Sequence, residues 1–285
     1  MTIKLVTDST CDLPQHLIDA LRIQVVPINI QFGATTYREN VTLSPDQFYH
    51  KVAVEGLLPQ TSQPAVGDFV ETYRNLAANG GAGADEILSI HLTSKLSGTY
   101  QSAKLAASMV RDQVKVTIID SLAGSAGLGW MVYEAAQLIK LGRALPEIQT
   151  HLESKRDGIS IFFAVDTLTY AQMSGRVGKL GSVLGTLLNI KPVIGLSHGL
   201  IDVTGKVRSR RAAMERIVAL TAEKVQHKPV NVAVVHALAP DRAEMLLEQA
   251  IEALNVQETF VKDVAISLAV HFGPGTLGLI AYPME

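Results

Sequence analysis

Short apolar runs of strand length alternate along this chain with stretches whose apolar residues recur every three or four positions. Residues 3–6 read as a buried first strand that ends at Thr7-Asp8-Ser9-Thr10. A helix over 13–21 follows, with Pro14 in its first turn and Asp12 or Thr10 available as its cap. Residues 23–32 predict a second strand and 45–54 a helix. Thr61-Ser62-Gln63-Pro64 then opens a helix carrying Val66, Phe69, Val70, Tyr73 and Leu76 on one face. After the glycine-rich turn at 80–83 come a strand (87–92), a loop (93–98), an alanine-rich helix (99–110), a strand (114–119) and helices over 128–141 and 146–155. This βαβ order predicts a mostly parallel sheet with helices on its faces.

The second half has a different rhythm. A strand at 159–165 leads into a glycine- and leucine-rich helical stretch over 166–190. Two short runs, 193–196 and 200–203, are joined by Ser197-His198-Gly199 as an antiparallel hairpin. A helix (211–226), a strand (230–236), a helix (241–254) and strands within 259–266 and 276–282 follow. The expectation is an α/β protein of two domains. Residues 1–157 form a mostly parallel α/β domain, and residues 158–285 an α+β domain with a mixed or antiparallel sheet.

Composition narrows the function. With 47% hydrophobic and 18% charged residues, the chain has ample material for a core. Its mean hydropathy of +0.22 has to be accommodated in a core or an apolar cavity, because no apolar run approaches the length of a bilayer span. The N-terminus lacks the charged-then-apolar pattern of a signal peptide, and there is a single cysteine, Cys11; both fit a reducing, cytoplasmic location without stable membrane insertion. The net charge is −2, and the densest cationic run, Lys206-Val207-Arg208-Ser209-Arg210-Arg211, is short, which argues against a nucleic-acid partner.

Familiar catalytic motifs fail on context. Gly273-Pro274-Gly275-Thr276-Leu277-Gly278 has the letters of a dinucleotide loop, but too few residues follow for the required helix and acidic strand end. Tyr100 and Lys104 have a dehydrogenase spacing without the glycine-rich first turn. There is no Gly-x-Ser-x-Gly elbow, no phosphate loop and no paired-histidine metal motif, so neither a cofactor nor a metal is expected. What remains is a set of hydroxyl-rich loops at the ends of predicted parallel strands: Asp8-Ser9-Thr10, Thr61-Ser62 and Ser94 to Thr99. Such loops suit a carboxylate, by hydroxyl donors and helix N-terminal N–H groups, and equally suit ordinary helix capping. Ser97, next to Gly98, fits the cap role better than Ser94 does.

Several ordered motifs carry a resemblance over nearly the whole chain. They are Asp8-Ser9-Thr10, Thr61-Ser62-Gln63-Pro64, Ser94-Lys95-Leu96-Ser97-Gly98-Thr99-Tyr100, Ser174-Gly175-Arg176, Ile190-Lys191-Pro192, Lys206-Val207-Arg208 and His271-Phe272-Gly273-Pro274-Gly275. With these, the sequence resembles the DegV family of bacterial fatty-acid-binding proteins, the lipid-carrying subunits of fatty acid kinase. The resemblance implies a long-chain fatty acid (C14–C18) buried between or within two domains. It implies a carboxylate held by Thr61, Ser62, Ser94 and His271, with Ser97 and Arg176 as secondary candidates. It further implies that Arg208 and His271 serve phosphoryl transfer with an ATP-binding kinase subunit, so that this chain does no covalent chemistry itself. Thr93 and Ala65 stand where many relatives have serine, and neither is one of those residues. The rival expectation is an acyl hydrolase using Ser94 or Ser97 with His271.

Overall fold

A computed structural model describes residues 2–56, 58–78, 84–174 and 190–284. The first half builds a four-stranded, all-parallel sheet in the order β2-β1-β6-β7, from Gln24–Val26 (β2), Ile3–Asp8 (β1), Glu86–His91 (β6) and Lys115–Asp120 (β7). The second half builds a six-stranded mixed sheet in the order β10-β9-β8-β13-β11-β12. Its strands are Leu200–Val207 (β10), Lys191–Ser197 (β9), Ser160–Ala164 (β8), Leu277–Pro283 (β13), Val230–His236 (β11) and Val256–Asp263 (β12). All its pairings are antiparallel except that of β11 with β12. The arrangement is the expected two-domain α/β class, parallel first and mixed second.

Strand alternation sorts the core into layers. On β6, Ile87 faces outward onto Phe69, Val70 and Tyr73 of α3 (Val66–Ala78) and onto Ala103, Ala106 and Val110 of α4 (Thr99–Val110). Leu88 and Ile90 face inward. On β8, Ile161 and Phe163 face inward, while Phe162 and Ala164 meet α8 (Arg210–Val225) and α9 (Pro240–Ala253). The two inward faces share one core, with α5 (Ala126–Lys140) between them, contributing Leu128, Trp130, Met131, Val132 and Ala135. Close packing there demands glycine: a Cβ on Gly129 would lie 2.2 Å from the Cys11 carbonyl oxygen. Next along the chain, α6 (Leu145–Lys155) ends on Lys155, whose Nζ donates to Glu134 (2.6 Å) and to the carbonyls of Pro283 (3.1 Å) and Met284 (2.9 Å).

Four sequence expectations are corrected. The predicted 23–32 strand is broken by Pro27, which has no N–H to continue a ladder. Its second part, Asn29–Phe32 (β3), leaves the parallel sheet and pairs antiparallel with Thr35–Arg38 (β4) and Gln60–Ser62 (β5). Thr61 and Ser62 therefore sit in a strand rather than at a helix start. Neither Asp12 nor Thr10 caps α1 (Gln15–Ala20), whose N-cap is Pro14; Asp12 adopts a left-handed conformation (φ 50°) and turns its carboxylate inward. Finally, the C-terminal strand expected within 259–266 stops at Asp263, and a short helix, α10 (Ile266–Phe272), follows it. The helix near 45 is present as α2 (Pro45–Glu55), closed by a Ser44–Gln47 capping box. Of the predicted stretch 166–190, Thr169–Met173 forms α7. Arg176 and the glycine- and leucine-rich residues beyond it lie outside the described residues.

Candidate functional site

Thr10 follows β1, and Leu92 to Ser97 follow β6, so both reach the C-terminal edge of the parallel sheet, where open α/β sheets collect ligands. The small β3–β4–β5 sheet brings Thr61, Ser62 and Ile28 to the same edge, and α10 brings Ser267, Leu268, His271 and Phe272. From the second sheet comes the β9–β10 hairpin. Its turn, His198 (φ 49°) and Gly199 (φ 79°), requires two positive φ values, and Thr93 Oγ1 donates to the Gly199 carbonyl at 3.2 Å. That contact sets Ile201 opposite Leu92 and Leu96.

Between these elements lie two adjoining cavities that share a wall. The first carries the hydroxyl side chains of Thr10, Thr61, Ser62, Ser97 and Ser267 together with His271. The second is lined by Ile161, Phe163, Ile194 and Leu196, with Gly124 and Gly195 giving it width. Leu92, Leu96, Ile201, Leu268 and Phe272 belong to both walls. A third, outer space between β5, α7 and α10 shares Thr61 and His271 with the first. Those two residues thus stand where the first cavity and the outer space meet.

The polar groups are fixed by particular bonds. Thr61 Oγ1 lies 3.1 Å from His271 Nε2, a link across 210 residues of sequence. Ser97 Oγ accepts from the Thr99 amide (3.2 Å) and contacts Thr99 Oγ1 (2.8 Å), so it shapes the entry to α4 while facing the cavity. Thr10 Oγ1 donates to Asp8 Oδ1 at 2.5 Å. Beneath the cavity, three buried carboxylates hold the frame. Asp8 accepts from His91 Nδ1 (3.0 Å) and the Leu92 amide (3.0 Å). Burial alone drives its pKa upward, but the His91 bond and charge, with the Thr10 and Leu92 bonds, outweigh it and leave the carboxyl below its ordinary value.

Asp12 accepts from Ser125 Oγ (2.5 Å) and the Ala265 amide (2.7 Å), and burial raises its pKa to about 6. Glu39 accepts from Ser9 Oγ, from the Ser267 amide (2.7 Å) and from Ser267 Oγ (2.8 Å), and burial raises it to about 7. Both acids therefore grip the first turn of α10, where free N–H groups favour them.

The structure brings together Thr61, Ser62, Ser97 and His271, four of the residues expected from sequence. Ser94 is not on the cavity wall; its amide donates to Asp120 Oδ1 at 3.2 Å. Arg208 is exposed in the loop between β10 and α8, away from all three cavities. Sequence reasoning missed Ser267, Leu268 and Phe272. With His271 they fall at i, i+1, i+4 and i+5, one face of a helix, a spacing that becomes a signal only once 266–272 is seen to be helical.

A hydrolase needs a serine bonded to a base. Neither Ser94 nor Ser97 has a bond to His271; its Nε2 partner is Thr61. The only Ser–His–Asp chain among the described residues, Ser89–His91–Asp8, is wholly buried and ends on the Tyr73 hydroxyl, 2.9 Å from Ser89. It serves the frame rather than the cavity. Among the described residues no group of three His, Cys, Asp or Glu side chains is arranged to hold a metal, and no helix is long and apolar enough to cross a membrane.

The comparison that decides the family spans the chain: a family model described as "Uncharacterised protein, DegV family" matches residues 2–284. The chain belongs to the DegV family. A DegV domain-containing protein of Deinococcus radiodurans is 34% identical over 287 residues, covering 100% of both chains. Among solved structures, a DegV-family protein of Thermus thermophilus described for its fatty acid binding superposes with a TM-score of 0.92 at 36% identity, over 100% of both chains. DegV of Bacillus subtilis, described as a fatty acid binding protein, superposes with a TM-score of 0.90 at 32% identity, over 99% of each.

Proposed function

We propose that this DegV-family protein binds a long-chain fatty acid, C14–C18, and presents its carboxylate to the ATP-binding subunit of a fatty acid kinase in the cytoplasm. The observation that carries the reading is the polarity gradient along the adjoining cavities. Five hydroxyl side chains and His271 line the first cavity, which meets the outer space at Thr61 and His271, while the inner cavity is walled by aliphatic and aromatic groups. Its one hydroxyl, Ser125, is already engaged by Asp12. Burying about 15 methylenes at roughly 0.8 kcal/mol each yields on the order of 12 kcal/mol before the costs of ordering the chain. The hydroxyls then need only orient and satisfy the head group. The fatty-acid-binding relatives among the solved structures support the same ligand class.

In this reading Thr61, Ser62, Ser97 and His271 hold the carboxylate. Ser94 contributes through the loop that carries it, Arg176 is a secondary candidate for the head group, and Arg208 meets the partner's phosphoryl group, for which a guanidinium is well suited. Residues 1–157 and 158–285 act as the two domains that enclose the acyl chain. The chain itself makes and breaks no covalent bond. The test is organic extraction of purified, denatured protein followed by mass spectrometry. Co-purified C14–C18 acids, near one per chain, are expected; an extract without fatty acid, from protein that also fails to bind added palmitate, would reject the proposal.

A further inference from the structure

Glu39 bears on the cleft without touching it. Its carboxyl lies behind Ser267, a cavity residue, and receives the Ser267 amide on one oxygen and the Ser267 hydroxyl, with that of Ser9, on the other. Ser9 Oγ in turn accepts the Ile28 amide at 2.9 Å. An ionised Glu39 is an acceptor only, so Ser267 must spend its single O–H on it and turn lone pairs toward the cavity. A protonated Glu39 donates from the shared oxygen, and one hydroxyl must reverse. Ser9 is enclosed by protein, whereas Ser267 has the cavity in front of it.

We infer that Glu39 is a positioning residue that sets the direction of the Ser267 hydroxyl, so that binding a carboxylate head group is coupled to uptake of a proton. This rests on the fatty-acid reading above. At neutral pH the ligand is an anion, since carboxyls titrate near pH 4–5 when solvated. It needs donors, and it binds best to the form in which Ser267 offers one. Burial holds Glu39 where both protonation states are reachable near neutrality. The other titratable and charged groups around it are Asp12, which adds repulsion, Asp8 with its His91 partner, Lys262 and Asp263 on β12, Tyr49 on α2, and His271 on α10 itself. Of these, Asp12, raised by burial to about 6, is a second source of pH dependence. Affinity should fall as pH rises through the Glu39 pKa, since the ionised form competes for the donor.

The experiment is calorimetric titration of delipidated full-length protein with palmitate, in buffers of different ionisation enthalpy. Proton uptake of about half a proton per palmitate is expected near pH 7.5. Binding about tenfold weaker at about pH 8.5 than at about pH 6 should accompany it, as one hydrogen bond to a charged group would give. Glu39→Gln keeps the shape and donates permanently, so it should bind at the low-pH strength throughout, with no uptake assigned to this site. Ser267→Ala, which leaves Glu39 its other donors, should bind weakly at low pH and lose the slope. Wild-type uptake and slope in Glu39→Gln would transfer the effect to another group, such as Asp12, and overturn the inference, as would palmitate binding by wild-type protein without uptake. No palmitate binding at any pH would instead defeat the fatty-acid reading itself.

Discussion

Gly124 is the position at which the depth of the cavity can be tested most directly. It lines the inner cavity, and a Cβ built on it would stand 2.8 Å from Leu92 Cδ1. Leu92 belongs to the walls of both cavities, so Gly124→Val must push it, or place the valine methyls, into the space where they meet. In the wild type, each methylene added to a saturated acid should strengthen binding by up to about 0.8 kcal/mol, close to fourfold, until the inner cavity is full. In Gly124→Val the gain should stop once the tail reaches Leu92. With about six methylenes beyond that point, the deficit for a C16 acid approaches about 5 kcal/mol, while a C8 acid binds nearly as before. Crowding should cost the lipid-free protein about 1–3 kcal/mol of stability, so affinities are to be measured well below its melting temperature. The assay is displacement of a fluorescent fatty acid by a ladder of saturated acids. An unbroken slope to C16 in the variant would show that the tail does not use the inner cavity.

Three further outcomes follow from the site. Thr61→Val keeps the β-branch that suits β5 and removes the hydroxyl bonded to His271. Acyl affinity should fall by about 1–3 kcal/mol with the lipid-free melting temperature nearly unchanged, and loss of stability without a binding defect would return Thr61 to a structural role. Arg208→Ala should leave palmitate affinity within about threefold yet lower acyl phosphate formation at least tenfold when kinase subunit and ATP are supplied; a wild-type rate would remove Arg208 from the transfer step. The pKa values of Asp12 and Glu39 are raised from 3.8 and 4.5 to about 6 and about 7, so their contribution to stability is full below the unfolded values and is lost as pH rises through the folded ones. The melting temperature of lipid-free protein should therefore fall between about pH 4 and pH 7, less steeply in Glu39→Gln, and a flat profile in both would refute the buried-acid account.

Regular periodicity made most of the frame legible. The strand of valines at 230–236 and the alanine-rich helix at 99–110 appear with the bounds read from sequence, because burial on both faces or on one stripe leaves a plain pattern. The site was harder to read. Gln60–Ser62 is a three-residue strand of polar residues, and only pairing with β3 makes it one. Ile266–Phe272 is buried on nearly every side, so its apolar letters resemble a strand as much as a helix. The motif positions of Thr61, Ser62, Ser97 and His271 were visible along the chain, whereas Ser267 became legible only with α10 in place. Asp12 and Glu39 carry no local pattern at all; their burial follows from contacts made with residues more than 200 positions away.

The packing of α5 against the first turn gives the lone thiol a use as a clock. Cys11 is 2% exposed, burial raises its pKa to about 12, and its carbonyl is the atom that forbids a side chain on Gly129. A reagent that attacks thiolates can therefore reach it only when α5 lifts away from the parallel sheet. The labelling rate then measures how often the molecule parts along the seam that also bounds the inner cavity. An acyl chain occupying that cavity should slow the clock by the factor by which it holds the seam shut.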